Sequence, residues 1–176
     1  MRSVFFSNPP RHSSRFDTGW RWWFSVWAPV AVALAVICAE STETFSAKNT
    51  SGWLRPILQH WFGFINDSSW ESFHHYLRKT GHFLGYGTVG FTFLRAWLHT
   101  LDRRGPMAPL AWRLESSILA IFSTAIVASC DEFHQTFLPD RTGTPVDVLL
   151  DTVGACVFCL LVWLICWSRR PVKEDW

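Results

Sequence analysis

Apolar residues fall into four long runs, and the charges collect in the gaps between them. Residues 24–39 (FSVWAPVAVALAVICA) are 16 positions without a charged side chain. Residues 83–101 are interrupted only by Arg95 and His99, and residues 114–130 only by Glu115. Residues 146–168 carry just Asp147 and Asp151, both near the start. A helix needs roughly 20 apolar residues to cross a bilayer core of about 30 Å. The pattern therefore predicts an all-α integral membrane bundle with four spans, at about 22–39, 83–101, 114–130 and 146–168. A soluble bundle would show a polar stripe at the helical period. Residues 24–39 and 152–166 show none.

Residues 1–21 read as a cytoplasmic N-terminal segment, 22–168 as the transmembrane domain and 169–176 as a cytoplasmic tail. Four Trp at the start of the first run and a long preceding segment favour a retained anchor over a cleaved signal peptide. Residues 40–78 read as a long outer loop. Within it, Ile57, Leu58, Trp61, Phe62, Phe64 and Ile65 give an apolar face that predicts an outer interfacial helix. His74 and His75 lie in that loop with no partner spacing.

Basic residues set the orientation. Ten of them fall in the two termini and the loop between spans two and three, against five on the opposite side. The positive-inside rule puts both termini in the cytoplasm of a bacterial-type inner membrane. Trp20, Trp22, Trp23, Trp97, Trp112, Trp163 and Trp167 would form an interfacial belt on that side, and Arg95 would snorkel to it. Overall composition adds little: 49 % hydrophobic and 17 % charged averages two segregated populations. The net charge of +2 is too small to argue for nucleic acid. Cys156 and Cys159 form a CxxC inside an apolar run, where packing is a better reading than zinc or redox.

The remaining ionisable residues gather at the outer ends of the spans. Glu40 closes the first; Lys79 and His82 open the second; Asp131, Glu132 and Gln135 close the third; Arg141, Asp147 and Asp151 open the fourth. Charges at membrane depth are costly and usually face the bundle interior. Lys79, His82 and Tyr86 share one helix face, as do Asp147 and Asp151 with Gly154 a turn later. Glycines at 81, 85, 87, 90 and 154 predict close helix approach. Five acids against two to four cations leave an acidic excess. A carboxylate with a raised pKa or a divalent ion would settle it. No spacing such as HExxH supports a metal, so no metal ligands are assigned and no cofactor is required.

Residues 79–86 (KTGHFLGY), 131–151 (DEFHQTFLPDRTGTPVDVLLD) with Gly154, and 40–51 (ESTETFSAKNTS) resemble the VanZ-like family. The family pattern runs roughly K-x-x-H-x-x-x-Y, then D/E-E-x-x-Q-x-F-x-P-x-R-x-x-x-x-x-D-x-x-x-N/D-x-x-G. Asp140 stands where glycine is common, and Asp151 where asparagine is common, which adds a negative charge. The resemblance implies a small integral membrane protein of the cell envelope. The family is named for a member linked to reduced sensitivity to the glycopeptide teicoplanin, and the resemblance supplies no settled reaction.

Three readings follow. In the first, an outward site binds or modifies an envelope lipid or lipid-linked cell-wall precursor. Lys79, Arg141, Gln135, Tyr86, Asp151 and Glu40 would bind the head group, and Glu132, His82, Asp147 and Asp131 would do acid–base work. No nucleophile is evident, since Ser129 has no triad spacing. The second is a proton-coupled small transporter, for which four spans would require an oligomer. The third is a non-catalytic scaffold or antibiotic-protective protein. The first expects Arg141→Ala to fold and lose activity, because a lone turn arginine is not needed to hold four helices. Among partners, the bilayer itself is the one all three share.

Overall fold

The computed structural model describes Phe5 and residues 19–104, 107–139 and 141–167. Five helices carry the fold: α1 (Trp20–Glu40), α2 (Ala47–Phe62), α3 (Asp67–Leu101), α4 (Pro109–Gln135) and α5 (Pro145–Val162). Short 3-10 turns follow α1 and α3, and a π-helical turn, Trp163–Trp167, extends α5. No strand occurs among the described residues. The all-α expectation holds. The terminal segments at 1–18 and 168–176 lie outside the described residues apart from Phe5, as does Asp140.

Local signals start each helix. Ser46 and Asn66 accept from Asn49 N and Ser69 N at 3.4 and 2.8 Å, capping α2 and α3. Thr144 caps α5 at 3.2 Å, and Pro109 and Pro145 occupy first-turn positions that need no N–H. Gly63, at φ +84°, ends α2 in the left-handed region that glycine tolerates.

The burial pattern is that of a membrane bundle. On α4 the buried face is Ser116, Ala120, Thr124, Ala128 and Glu132, one residue per turn. The opposite stripe, Leu114, Ile118, Phe122 and Ile126, is exposed. Small residues inside and bulky apolar residues outside invert the soluble arrangement. α1, α4 and α5 with its π-turn are each long and apolar enough to cross a membrane. α3 is not among these by composition, although α1, α4 and α5 all pack on it. Three spans are therefore supported directly.

Several expectations need correction. Most of the segment expected as an outer loop is helical: α2 spans Ala47–Phe62 with Pro56 inside, and α3 starts at Asp67 and runs 35 residues without a break. His74 is consequently buried on α3, stacked on Trp70 at 5.2 Å with its Nε2 3.0 Å from Thr50 Oγ1. Together with the Trp70 Nε1 bond to Ser51 Oγ (2.6 Å), this contact ties α2 to α3. The tryptophan belt is also thinner than expected. Trp112 and Trp167 are buried, and their indole N–H groups donate to Leu98 O and Phe5 O at 3.0 and 2.8 Å. Arg95 does not simply snorkel. Pro29 has no N–H to offer Ser25 O, and Arg95 donates instead to Ser25 O at 3.4 Å and Val26 O at 3.0 Å. Among the glycines, a Cβ on Gly81 would meet open space, whereas one on Gly90 would collide with Ala155.

Burial, and next the Arg78 charge, hold the His74 imidazole below its ordinary pKa of about 6.5. The docked state therefore binds fewer protons than the undocked one. Docking of α2 is fully present above about pH 6.5 and weakens as pH falls through that value toward the lowered one. Hydrogen exchange of α2 amides, corrected for intrinsic rates, should be faster at pH 5 than at pH 7.5. His74→Gln should flatten that difference; an unchanged pH dependence in the variant would remove His74 as its cause.

Candidate functional site

One end of the bundle collects the polar residues of four helices. α1 ends at Glu40, α4 ends at Gln135, α5 begins at Pro145, and α3 passes through with its middle turns. The α4–α5 turn is tight because Gly143 lies against the Glu132 backbone, where any Cβ would strike the carbonyl oxygen. The same turn brings Thr144 N to Glu132 Oε2 at 2.9 Å. That bond aims the carboxylate inward, and Glu132 is 4 % exposed.

A polar cavity of about 130 Å³ opens between these elements. α3 contributes His75, Arg78, Lys79 and His82; α4 contributes Glu132 and Gln135; Arg141, Thr142 and Asp147 complete it. The expected residues separate into three groups around it. Lys79, His82, Glu132, Gln135, Arg141 and Asp147 line the cavity. Tyr86 and Asp151 are fully buried and Asp131 is half-buried, and none of the three lines it. Glu40 turns its exposed side chain toward a different, apolar groove between α1 and α3.

Asp131 is the hub of a hydrogen-bond network. Ser41 Oγ donates to its Oδ1, and Tyr86 Oη and Gln135 Nε2 donate to its Oδ2 at 2.8 and 3.0 Å. Three donors on one carboxylate tie the end of α1, the middle of α3 and the end of α4 together, which is a structural task. Lys79 Nζ pairs with Asp147 Oδ1 across α3 and α5. Asp147 also lies in the first turn of α5, where the helix dipole favours an anion.

Arg141 differs most from expectation. It is 8 % exposed, and its Nη2 donates to three carbonyls: Glu40 (2.6 Å), Phe45 (2.9 Å) and Thr42 (3.2 Å). These carbonyls lie where α1 gives way to a 3-10 turn, and of the three Thr42 O also accepts from Phe45 N at 3.2 Å. The turn arginine fastens the α4–α5 connection to the end of α1, and the view that the bundle has no need of it is corrected.

Arg78 was missed. It lies one residue before Lys79, outside the motif spacing, so nothing in the sequence singled it out. In the structure it is half-buried, lines the cavity and makes no side-chain hydrogen bond or ion pair with the described residues. Burial lowers the pKa of the Arg78 guanidinium, the neighbouring Arg141 charge lowers it further, and Glu132 partly offsets both. Burial also lowers Arg141, against the pull of Asp131 and Glu132. Two crowded guanidinium groups face one cavity, which suits an anion. Ser129 Oγ donates back to Ala125 O at 2.8 Å and stands outside the cavity, whose lining hydroxyl is that of Thr142.

A family model described as VanZ/LLP1 matches residues 24–166. No curated protein and no solved structure matches the chain significantly.

Proposed function

The chain belongs to the VanZ/LLP1 family of multi-pass membrane proteins, and we propose that its polar cavity is an outward-facing receptor for the phosphate of an envelope lipid or lipid-linked cell-wall precursor. The carrying observation is Arg78, a half-buried guanidinium directed at a polar cavity and left without an anionic partner. Lys79 adds a second cation, tethered to Asp147. A guanidinium meets phosphate through two parallel N–H donors, a geometry suited to this ligand. In this reading α3 supplies the fourth span from about residue 83. Both termini are cytoplasmic by their basic excess, so the cavity opens toward the envelope of an inner membrane. Any effect on glycopeptide sensitivity would follow from capture of a precursor head group.

Cavity placement supports this reading over a proton relay. Below Asp151 the interior is Val89, Phe93, Leu94, Leu98 and Val162. The polar groups there, Thr124, Ser116 and Ser117, each donate to a carbonyl one turn back on α4. A relay would require a chain of exchangeable partners through this layer.

The test is binding to nanodiscs. The protein should bind discs containing phosphatidylglycerol in preference to pure phosphatidylcholine, with glycerol phosphate competing. Arg78→Gln should weaken the anionic preference by about tenfold or more, as expected for one charge-assisted contact of about 1.5–3 kcal/mol. Equal binding of both lipids by the unsubstituted protein, or an unchanged preference in Arg78→Gln, would overturn the proposal.

A further inference from the structure

Just inside the cavity, the Asp151 carboxylate is entirely buried and neither of its oxygens has a hydrogen-bond partner. His82 Nδ1 stands 3.7 Å from its Oδ1, beyond hydrogen-bonding range. A buried carboxylate without hydrogen bonds is a costly arrangement. Other acids here are satisfied: Asp131 by three donors and Asp147 by Lys79. Glu132 is held at Oε2 by the Thr144 amide, and no described residue hydrogen-bonds its second oxygen.

His82, Glu132 and Asp151 each offer one ligand atom, and these atoms lie within 4.8 Å of one another. They come from α3, α4 and α5, so the bundle's three most tightly packed helices converge on this point. From this geometry we infer that His82, Glu132 and Asp151 bind a divalent first-row transition cation such as Zn²⁺ or Mn²⁺. One imidazole and two carboxylates favour these ions over Mg²⁺ or Ca²⁺, which take oxygen ligands. With metal–ligand distances of about 2.0–2.2 Å, two ligands on one ion stand at most about 4.4 Å apart. At a tetrahedral ion the ligand atoms stand about 3.4 Å apart, so the 3.7 Å separation of His82 and Asp151 nearly fits and the widest pair, within 4.8 Å, has to close by up to about 1.4 Å. The ion's two positive charges neutralise Asp151 and Glu132 with His82 neutral. Three protein ligands leave a coordination position open, and His82 and Glu132 face the cavity. That is the arrangement of a reactive rather than a closed structural site.

The experiment uses the full chain, purified in a neutral detergent without phospholipid, stripped with chelator and desalted. It is therefore independent of the head-group reading. Zn²⁺ alone, then Mn²⁺ alone, is titrated with calorimetry and elemental analysis. The expected result is one saturable equivalent per chain and a melting temperature that rises with ion concentration. His82→Gln and Asp151→Asn should each weaken binding more than tenfold. Ion-free Asp151→Asn should melt at or above the ion-free parent, because the orphaned charge is gone, and should no longer respond to metal. Cys156→Ser/Cys159→Ser should bind as the parent does, which excludes thiol capture. Absence of a saturable equivalent, or equal binding by His82→Gln and Asp151→Asn, would overturn the inference. Should Asp151→Asn fail to fold, Glu132→Gln with His82→Gln carries the same comparison.

Discussion

Arg141→Ala is expected to destabilise the protein by about 3–5 kcal/mol and to sharply reduce its accumulation in the membrane. The guanidinium is buried and donates to the carbonyls of Glu40, Thr42 and Phe45. Truncation removes the side-chain donor shared by these three carbonyls and frees the α4–α5 turn from the end of α1. That turn carries Gly143 and Thr144, which aim Glu132. The damage should therefore spread from α1 to the cavity. Thermal unfolding in detergent and quantitation of membrane-inserted protein are the measurements. Lysine has a compact charge without the fork and should recover only part of the loss. A variant that accumulates and melts like the parent would show that these three bonds contribute little. The contrast with Arg78→Gln is direct: that guanidinium holds no carbonyl, and its loss should leave the melting temperature nearly unchanged.

Gly154→Val should be comparably severe. α3 and α5 share the most extensive interface in the bundle. At Gly154 a Cβ would run into the Phe83 carbonyl oxygen and lie 3.3 Å from Gly87 N. Both neighbours are backbone within a helix, so neither can rotate away. The helices would have to separate, and dispersion along their shared face would fall with distance. In a membrane that contact is the main attraction between helices, since lipid solvates apolar side chains as well as protein does. A loss of more than about 3 kcal/mol is expected, at the upper end for overpacking. Gly81→Ala is the control, because that position faces open space. It should be neutral or stabilising by up to about 1 kcal/mol through helix propensity. Equal melting temperatures for Gly154→Val and Gly81→Ala would remove the close approach from the account.

The two variants also show how far a linear reading reaches. Gly154 was recognisable because it extends the Asp147–Asp151 stripe by a turn, and helical spacing is a local property. Gly81 looked equivalent to its neighbours along α3, yet which face of a long helix meets a partner depends on where the other helices stand. Arg141 stood out as part of a motif, but its three acceptors lie about a hundred positions earlier in the chain. No spacing rule connects a turn to carbonyls that far away. For the same reason Asp131 and Asp151 could not be told apart from sequence. Both are acids near a span end, but one receives three donors and the other none.

What followed from residue order alone was the segregation of apolar runs and charge. It sufficed for an all-α membrane class, the positions of α1, α4 and α5, and the gathering of Lys79, His82, Glu132, Gln135 and Asp147 at one end. Hydrophobic run length and helical period are short-range quantities, legible without a fold. What required the folded chain was partnership: Arg141 spent on carbonyls, Arg78 left facing a cavity, and Asp151 buried beside His82 and Glu132. Helix packing sets which groups meet, and whether a buried charge is satisfied depends on groups brought together from four separate helices.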